Sequence, residues 1–415
     1  MPMRDSRIDL PAAPASISML PWPHMRGTTM NRASAPLPFS CYFSTVALIA
    51  LLGMAAAVSL SISHYRLFTD PAYSSFCAIS KSINCDTVSQ SPYAVLWGVP
   101  VAAWAVLGYF SVLLLLLLSR GPSAQHQRVW TLLFSLAMGF SGYSLALAAV
   151  STFVIGSYCI LCIALYAVNL LLLFFSWIVR RRFKSGPFFR ALGDDLRYLS
   201  ARKPVNILAI AALLAVFAGV KAGYPAYWRF HPAPLPTQIA AGVTPEGRPW
   251  IGAETPLLEI VEFADYQCFQ CKKMYFHLRE LIAKYPDKIR LVHVHYPMDH
   301  AVNPMVKTPF HIGSGKLALL AIYAAAEEKF WDVHELLYQW TGTRPEIDLH
   351  ELASTTGLPV DRLAEAPENL RFREKLAADI RLAMKHGVEA TPSYLIEGKV
   401  YQGTIPPEAF KGIVD

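Results

Sequence analysis

Six of the seven cysteines fall into three spaced pairs: Cys77 with Cys85, Cys159 with Cys162, and Cys268 with Cys271. Paired cysteines can exchange thiols for disulfides, a thiolate attacking a disulfide sulfur through a mixed disulfide. Cys268-Phe-Gln-Cys271 follows an apolar strand, Leu257 to Phe263, and precedes a helical pattern from Lys272 to Tyr285. At a helix start, unpaired backbone N–H groups and the helix dipole stabilise an anion. This context makes Cys268 the nucleophile and Cys271 the resolving thiol. A zinc site would need a second ligand pair, and none follows. His293 and His295 share one face of a predicted strand, but without a third ligand they read as structural, and no metal is expected.

Cys159-Ile-Leu-Cys162 sits at i and i+3, so on a helix both sulfurs share one face. A disulfide there cross-links almost nothing, which favours redox chemistry over a staple. Tyr166 and Asn169 continue the same face down a Leu- and Phe-rich helix. A polar stripe in an apolar helix packs on neighbours or lines a pocket. Tyr and Asn beneath a dithiol suggest hydrogen bonds to a small polar ligand. Cys77 and Cys85 enclose seven residues, and on spacing alone they read as a structural staple. Cys41 is left over, and a small helix-packing role suits it.

Five apolar segments must position these groups: about 41–62, 94–118, 129–153, 155–179 and 205–224. Each is long enough to cross a hydrocarbon core of about 30 Å, though the fifth could instead lie at the interface. Gly156 and Ser157 must make the tight hairpin between the third and fourth. The chain is 54% hydrophobic and 16% charged, and residues 129–179 and 87–119 carry no Asp, Glu, Lys or Arg. A disordered chain and a soluble multidomain enzyme are both excluded by such gaps.

The net charge of +7 divides unevenly, because residues 251–415 hold 18 basic and 23 acidic residues. The basic excess lies in the N-terminal tail, around Arg120 and Arg128, and in the cluster from Arg180 to Lys203. The positive-inside rule makes these regions cytoplasmic, and the loop 63–93 and the C-terminal half extracytoplasmic. The excess is therefore topology, and no nucleic-acid partner is expected. The implied setting is a lipid bilayer, with Cys pairs on the oxidising side.

The organisation follows. Residues 1–40 form a disordered tail, too long and polar for a cleavable signal, with Met30 as a second candidate start and the first span as signal anchor. Residues 41–180 are a transmembrane domain, 181–224 a cytoplasmic loop and fifth span, and 225–250 a linker holding six prolines. Such a linker is a semi-rigid spacer. Residues 251–415 are the soluble domain.

The segment Cys159-Ile-Leu-Cys-Ile-Ala-Leu-Tyr166-Ala-Val-Asn169, with Cys77 and Cys85 upstream, resembles the vitamin K epoxide reductase family. Ser91-Pro-Tyr and Leu96-Trp-Gly-Val-Pro100 look like its bacterial members. Residues 255–415 resemble DsbA-like thioredoxin-fold proteins. They have the CxxC, a helical insertion from about 314 to 386, then Gly387-Val-Glu-Ala-Thr391-Pro392, a strand Ser393–Ile396, a turn Glu397-Gly398 and a final helix from Pro407. The fold class implied is multidomain: an α-helical transmembrane bundle, four-helix core plus a fifth span, followed by an α/β thioredoxin-like domain.

The resemblance implies that Pro392 is cis and faces the dithiol, that Thr391 docks substrate chains, and that Glu262 is a buried acid assisting proton transfer. It implies a quinone, ubiquinone or menaquinone, held near Tyr166, Asn169 and Trp97. Ala94 stands where vertebrate members carry a quinone-bonding Asn. The CxxC dipeptide Phe-Gln replaces the Pro-His of DsbA. The implied enzyme is an oxidoreductase of the bacterial inner membrane. A reduced secreted or periplasmic protein reduces Cys268–Cys271, which reduces the loop pair through Cys77. Cys85 then attacks Cys159, and Cys162 passes two electrons to the quinone. On this reading Cys77 and Cys85 are a shuttle rather than a staple. Two alternatives stay open. One is a quinone or quinone-epoxide reductase fed by the thioredoxin domain. The other is a non-catalytic, membrane-anchored binding or chaperone domain.

Overall fold

The computed structural model describes residues 38–80, 82–119, 129–183, 185–201, 205–230, 239–342 and 346–413. Residues 1–37 of the expected tail, Arg120, Arg128 and Pro232, Pro234 and Pro236 lie outside them.

The N-terminal half is helical. Helix α1 (Phe39–Thr69) is followed by the short α2 (Cys85–Gln90), a two-stranded ribbon of β1 (Val95–Leu96) and β2 (Val99–Pro100), and α3 (Val101–Leu118). Then come α4 (Trp130–Val150), α5 (Ile160–Arg182), α6 (Phe188–Ala201) and α7 (Val205–Gly223). Four described helices are long and apolar enough to cross a membrane: α1, α3, α5, and α4 with its π-helical extension to Ile155. The apolar stretch of α7 at 208–223 is shorter than these. The second span starts at Val101, not at residue 94, because residues 95–100 turn as a hairpin.

Close approach needs small residues where helices cross. A Cβ on Gly53 would overlap the Tyr109 ring, so glycine is what lets α1 meet α3 there. Gly156, with φ of 69°, ends the third span in the left-handed region and turns the chain into α5. Helix α6 was not anticipated within the basic loop. Its Asp195, 3% exposed, accepts from the N–H groups of Val129 (2.9 Å), Thr131 (2.8 Å) and Leu132 (3.2 Å). A carboxylate there satisfies orphan donors at the start of α4 and complements its dipole. Cys41 is exposed, so it does not pack between helices as expected.

The C-terminal half is a six-stranded sheet, order β3-β4-β6-β5-β7-β8. The strands are β3 (Ala241–Val243), β4 (Pro249–Gly252), β5 (Leu258–Ala264), β6 (Ile289–His295), β7 (Ser393–Ile396) and β8 (Lys399–Gln402). Only β5 and β6 are parallel neighbours, joined by α8 (Phe269–Lys284). The helical insertion comprises α9 (Ser314–Ala326), α10 (Phe330–Trp340), α11 (Leu349–Thr356), α12 (Val360–Glu365) and α13 (Leu370–Lys385). Side chains alternate across a strand. Ile260 and Leu291 accordingly join Tyr275 and Leu278 of α8, while Phe263 and Val294 join α9 and α13.

Two details differ from expectation. The stretch 225–250 is not all spacer, since β3 and the start of β4 belong to the sheet. Pro249 opens β4, a position where a missing N–H is tolerated. From Pro407 the chain makes only a short 3₁₀ turn to Phe410 instead of a helix.

Candidate active site

Cys268 caps the start of α8. Its sulfur accepts from the Cys271 N–H at 3.2 Å and lies 3.4 Å from the Thr391 carbonyl oxygen. The Thr391–Pro392 peptide is cis. Cys268 is 8% exposed and Cys271 is fully buried. Burial opposes charge on Cys268, but the facing Cys271 thiol and N–H, with His311 nearby, outweigh it and hold the thiol below its ordinary range. Burial pushes Cys271 well above that range. One sulfur is therefore poised to attack and the other to wait.

Glu262 is fully buried in β5, and neither carboxylate oxygen has a hydrogen-bond partner. His293 Nδ1 is 3.5 Å from it, and His293 Nε2 meets His295 Nδ1 at 3.2 Å. His334, which the sequence reading passed over, completes this buried cluster, with Nδ1 2.8 Å from the Tyr266 hydroxyl. Its position on the apolar face of α10 gave no warning in spacing alone.

The helical half holds the other two pairs. Cys77 and Cys85 are bonded, with Cα atoms 5.6 Å apart. Cys159 caps α5 and accepts from the Cys162 N–H at 3.3 Å; both are free thiols. The Asn84 N–H donates to the Tyr158 carbonyl at 2.9 Å, and the Tyr158 N–H to Ser82 at 2.8 Å. That ladder sets Cys85 beside Cys159, and Cys77, Cys85 and Cys159 share one buried cluster.

The two halves touch through α8. Lys273 Nζ donates to the carbonyls of Asp70 (3.1 Å) and Tyr73 (3.2 Å), and Gln270 to that of Pro71 (2.9 Å). Phe269 packs on Phe68, ring centroids 5.2 Å apart, and on Phe230. The residues between the CxxC cysteines thus seat the soluble domain on the segment leading to Cys77. A cavity of about 630 Å³ lies at this junction, lined by Cys268, Phe269, Ser89, Ser91 and Trp340 among others.

Residues 44–177 match the vitamin K epoxide reductase family, and residues 244–415 match thioredoxin. The protein joins a vitamin K epoxide reductase family domain to a thioredoxin-like domain. Among relatives, Disulfide bond formation protein D of Bacillus subtilis is 28% identical over 182 residues, 41% of this chain and 77% of that protein. Na(+)/H(+) antiporter NhaA 3 of Salinispora tropica is 30% identical over 156 residues, 37% of this chain but 22% of the antiporter. The chain spans under a third of the length of the first antiporters it matches. The oxidised crystal structure of BdbD from Bacillus subtilis is 25% identical, covering 42% of this chain and 96% of that one, with a TM-score of 0.32.

Within the reductase domain, two adjoining cavities of about 90 and 220 Å³ lie below the dithiol. Cys162 and Tyr166 line the first, with Ala94 and His64; Tyr166 and Asn169 line the second. Asn169 is engaged by the protein itself. Its Oδ1 accepts from Tyr109 at 2.7 Å and its Nδ2 donates to Ser144 at 2.9 Å, clasping α3 and α4 to α5. Trp97, expected beside the quinone, lines neither cavity. It is 72% exposed and packs edge-on against Trp104. Trp97 and Gly98 both have positive φ, as a two-residue hairpin turn requires, and this turns the indole outward. Among the described residues no cluster of three or more His, Cys, Asp or Glu could hold a metal.

Proposed function

We propose that this protein is a membrane thiol–disulfide oxidoreductase that makes disulfides in secreted or periplasmic proteins and delivers the electrons to a membrane quinone. The observation that carries the reading is the seating of the CxxC helix on residues 70–73, through Lys273, Gln270 and Phe269. A thioredoxin-like domain that only bound clients would have no need to present its dithiol to the segment leading to Cys77.

In this reading Cys268 and Cys271 take electrons from a client docked against Thr391 and Pro392. Cys268, once reduced, attacks Cys77 and breaks the Cys77–Cys85 bond. Cys85 then attacks Cys159; the residues before them, Asn84 and Tyr158, share a backbone hydrogen bond. Cys162 faces the cavity that would hold the quinone with Tyr166. Each exchange conserves electrons, and the last step forms the Cys159–Cys162 disulfide while the quinone gains two electrons and two protons. The N-terminus is assigned to the cytoplasm and the thioredoxin-like domain to the oxidising side, consistent with the basic residues Arg180–Arg182 at the end of α5.

The test uses the full chain in lipid nanodiscs, a reduced unfolded protein as donor and a short-chain ubiquinone or menaquinone. One hydroquinone should appear per client disulfide, and Cys85→Ala should abolish both. Client oxidation without quinone reduction would overturn the assignment.

A further inference from the structure

Helix α1 is apolar along its length, yet it buries one imidazole. His64 is 3% exposed, and its ring lines the same cavity as Cys162 and Tyr166. Nδ1 lies 2.8 Å from the Tyr227 hydroxyl, and Nε2 has no hydrogen-bond partner. With Tyr227 donating to Nδ1, the proton of the neutral ring stands on Nε2. A buried N–H without an acceptor is unfavourable unless something else supplies one. A polar side chain inside a membrane span is a functional candidate on the same ground. Tyr227 is itself only partly buried, four residues beyond the end of α7, so the pair runs from the cavity toward the surface.

We propose that His64 donates a hydrogen bond, and then a proton, to a carbonyl oxygen of a quinone in this cavity, and that Tyr227 reprotonates it. The inference rests on the quinone reading above. In the balanced step two thiols and a quinone give one disulfide and one hydroquinone. The S–S bond forms between Cys159 and Cys162, both S–H bonds break, and the quinone is reduced by two electrons. His64 passes its Nε2 proton to the oxygen as negative charge develops. Nδ1 takes the Tyr227 proton, Tyr227 recovers one from the pool that receives the two thiol protons, and the second quinone oxygen takes its proton from that pool. Tyr166 faces the same cavity on α5, and Ser89, Ser91 and Tyr93 line it from the loop.

The experiment measures quinone reduction by the full chain in nanodiscs, with dithiothreitol as donor and short-chain ubiquinone as acceptor. His64→Gln keeps a donor but cannot relay a proton. Loss of a general acid costs about 10²-fold or more in kcat. The expected result is a fall of about that size with KM within about threefold, and Tyr227→Phe falling in the same direction. Exchange among the three cysteine pairs, followed by thiol alkylation, should stay at the wild-type rate. A wild-type kcat in His64→Gln overturns the inference and assigns the ring to packing against Phe68 and Trp228. If His64→Gln also loses thiol exchange, Tyr227→Phe decides, and an unchanged kcat there overturns it. Absence of quinone reduction by the wild-type chain would instead sink the quinone reading, and this inference with it.

Discussion

Asn84 and Tyr158 share a backbone hydrogen bond of 2.9 Å, and the residue after each of them is a cysteine of a different pair. The register of that contact brings Cys85 and Cys159 together across 74 positions of sequence. The Asn84 side chain also caps α2, accepting from Asp86 (2.9 Å) and Thr87 (3.1 Å). Replacing such a cap costs about 1 kcal/mol. Asn84→Ala should therefore loosen Cys85 and slow its exchange with the Cys159–Cys162 disulfide by roughly fivefold to tenfold. Stopped-flow alkylation of the loop pair reads that rate, and Asn84→Asp should restore it.

Lys273 ties the thioredoxin-like domain to the reductase domain with two bonds to backbone carbonyls. Hydrogen bonds from charged groups contribute about 1.5–3 kcal/mol. Lys273→Ala should slow transfer from Cys268–Cys271 to Cys77–Cys85 by about tenfold or more. Oxidation of a free dithiol peptide by the same domain should be unchanged. Equal slowing of both would show that Lys273 supports the fold and not the seating.

The lowered Cys268 thiol predicts that it carries more thiolate at a given pH than an ordinary cysteine does. Iodoacetamide should modify Cys268 faster than a free cysteine at the same pH and leave the buried Cys271 untouched, with the rate falling as acid protonates Cys268. The sign for stability follows from a folded value below the unfolded one. The reduced domain gains stability as pH rises above the folded value, and loses it as pH falls through that value. Chemical denaturation of the reduced form across pH 4 to 9 tests this, with the oxidised form, which keeps every other titrating group, subtracted as the control.

Glu262 is a carboxyl buried without a hydrogen bond, and both it and Cys271, a thiol that burial holds protonated, act on the buried Tyr338 and Tyr394. If it accepts the Cys271 proton, Glu262→Gln should leave alkylation of Cys268 intact. Resolution of the mixed disulfide with a client should slow by about 10²-fold. Accumulation of the client adduct on a non-reducing gel is the readout; its absence would make Glu262 a structural residue.

Much of this was legible in residue spacing. Cys268-Phe-Gln-Cys271 between a strand and a helix marked a redox dithiol at a helix start, and the thioredoxin-like end with its facing Pro392 followed from the family resemblance those residues carry. The stripe Cys159, Cys162, Tyr166 and Asn169 did specify one helix face. It could not reveal that Tyr109 and Ser144 occupy the Asn169 amide, since those partners come from other helices. The outward orientation of Trp97 was not legible, because its motif is local and its orientation is set by a turn. His64 went unread, although a lone imidazole in an apolar helix was the available signal. Its partner Tyr227 sits in a stretch whose prolines pointed to a spacer. The seating of Phe269 and Gln270 on residues 68–71 was also hidden, because tertiary contact between two domains leaves no periodicity.

The proposed relay requires electrons to pass from the loop pair to the membrane dithiol through Cys85 and Cys159. Peptide mapping by mass spectrometry of non-reduced Cys77→Ala protein, sampled during turnover, tests it most directly. Without Cys77 to resolve the intermediate, a Cys85–Cys159 disulfide should accumulate with Cys162 as a free thiol. A Cys85 that stays free while Cys159 remains bonded to Cys162 would contradict the relay.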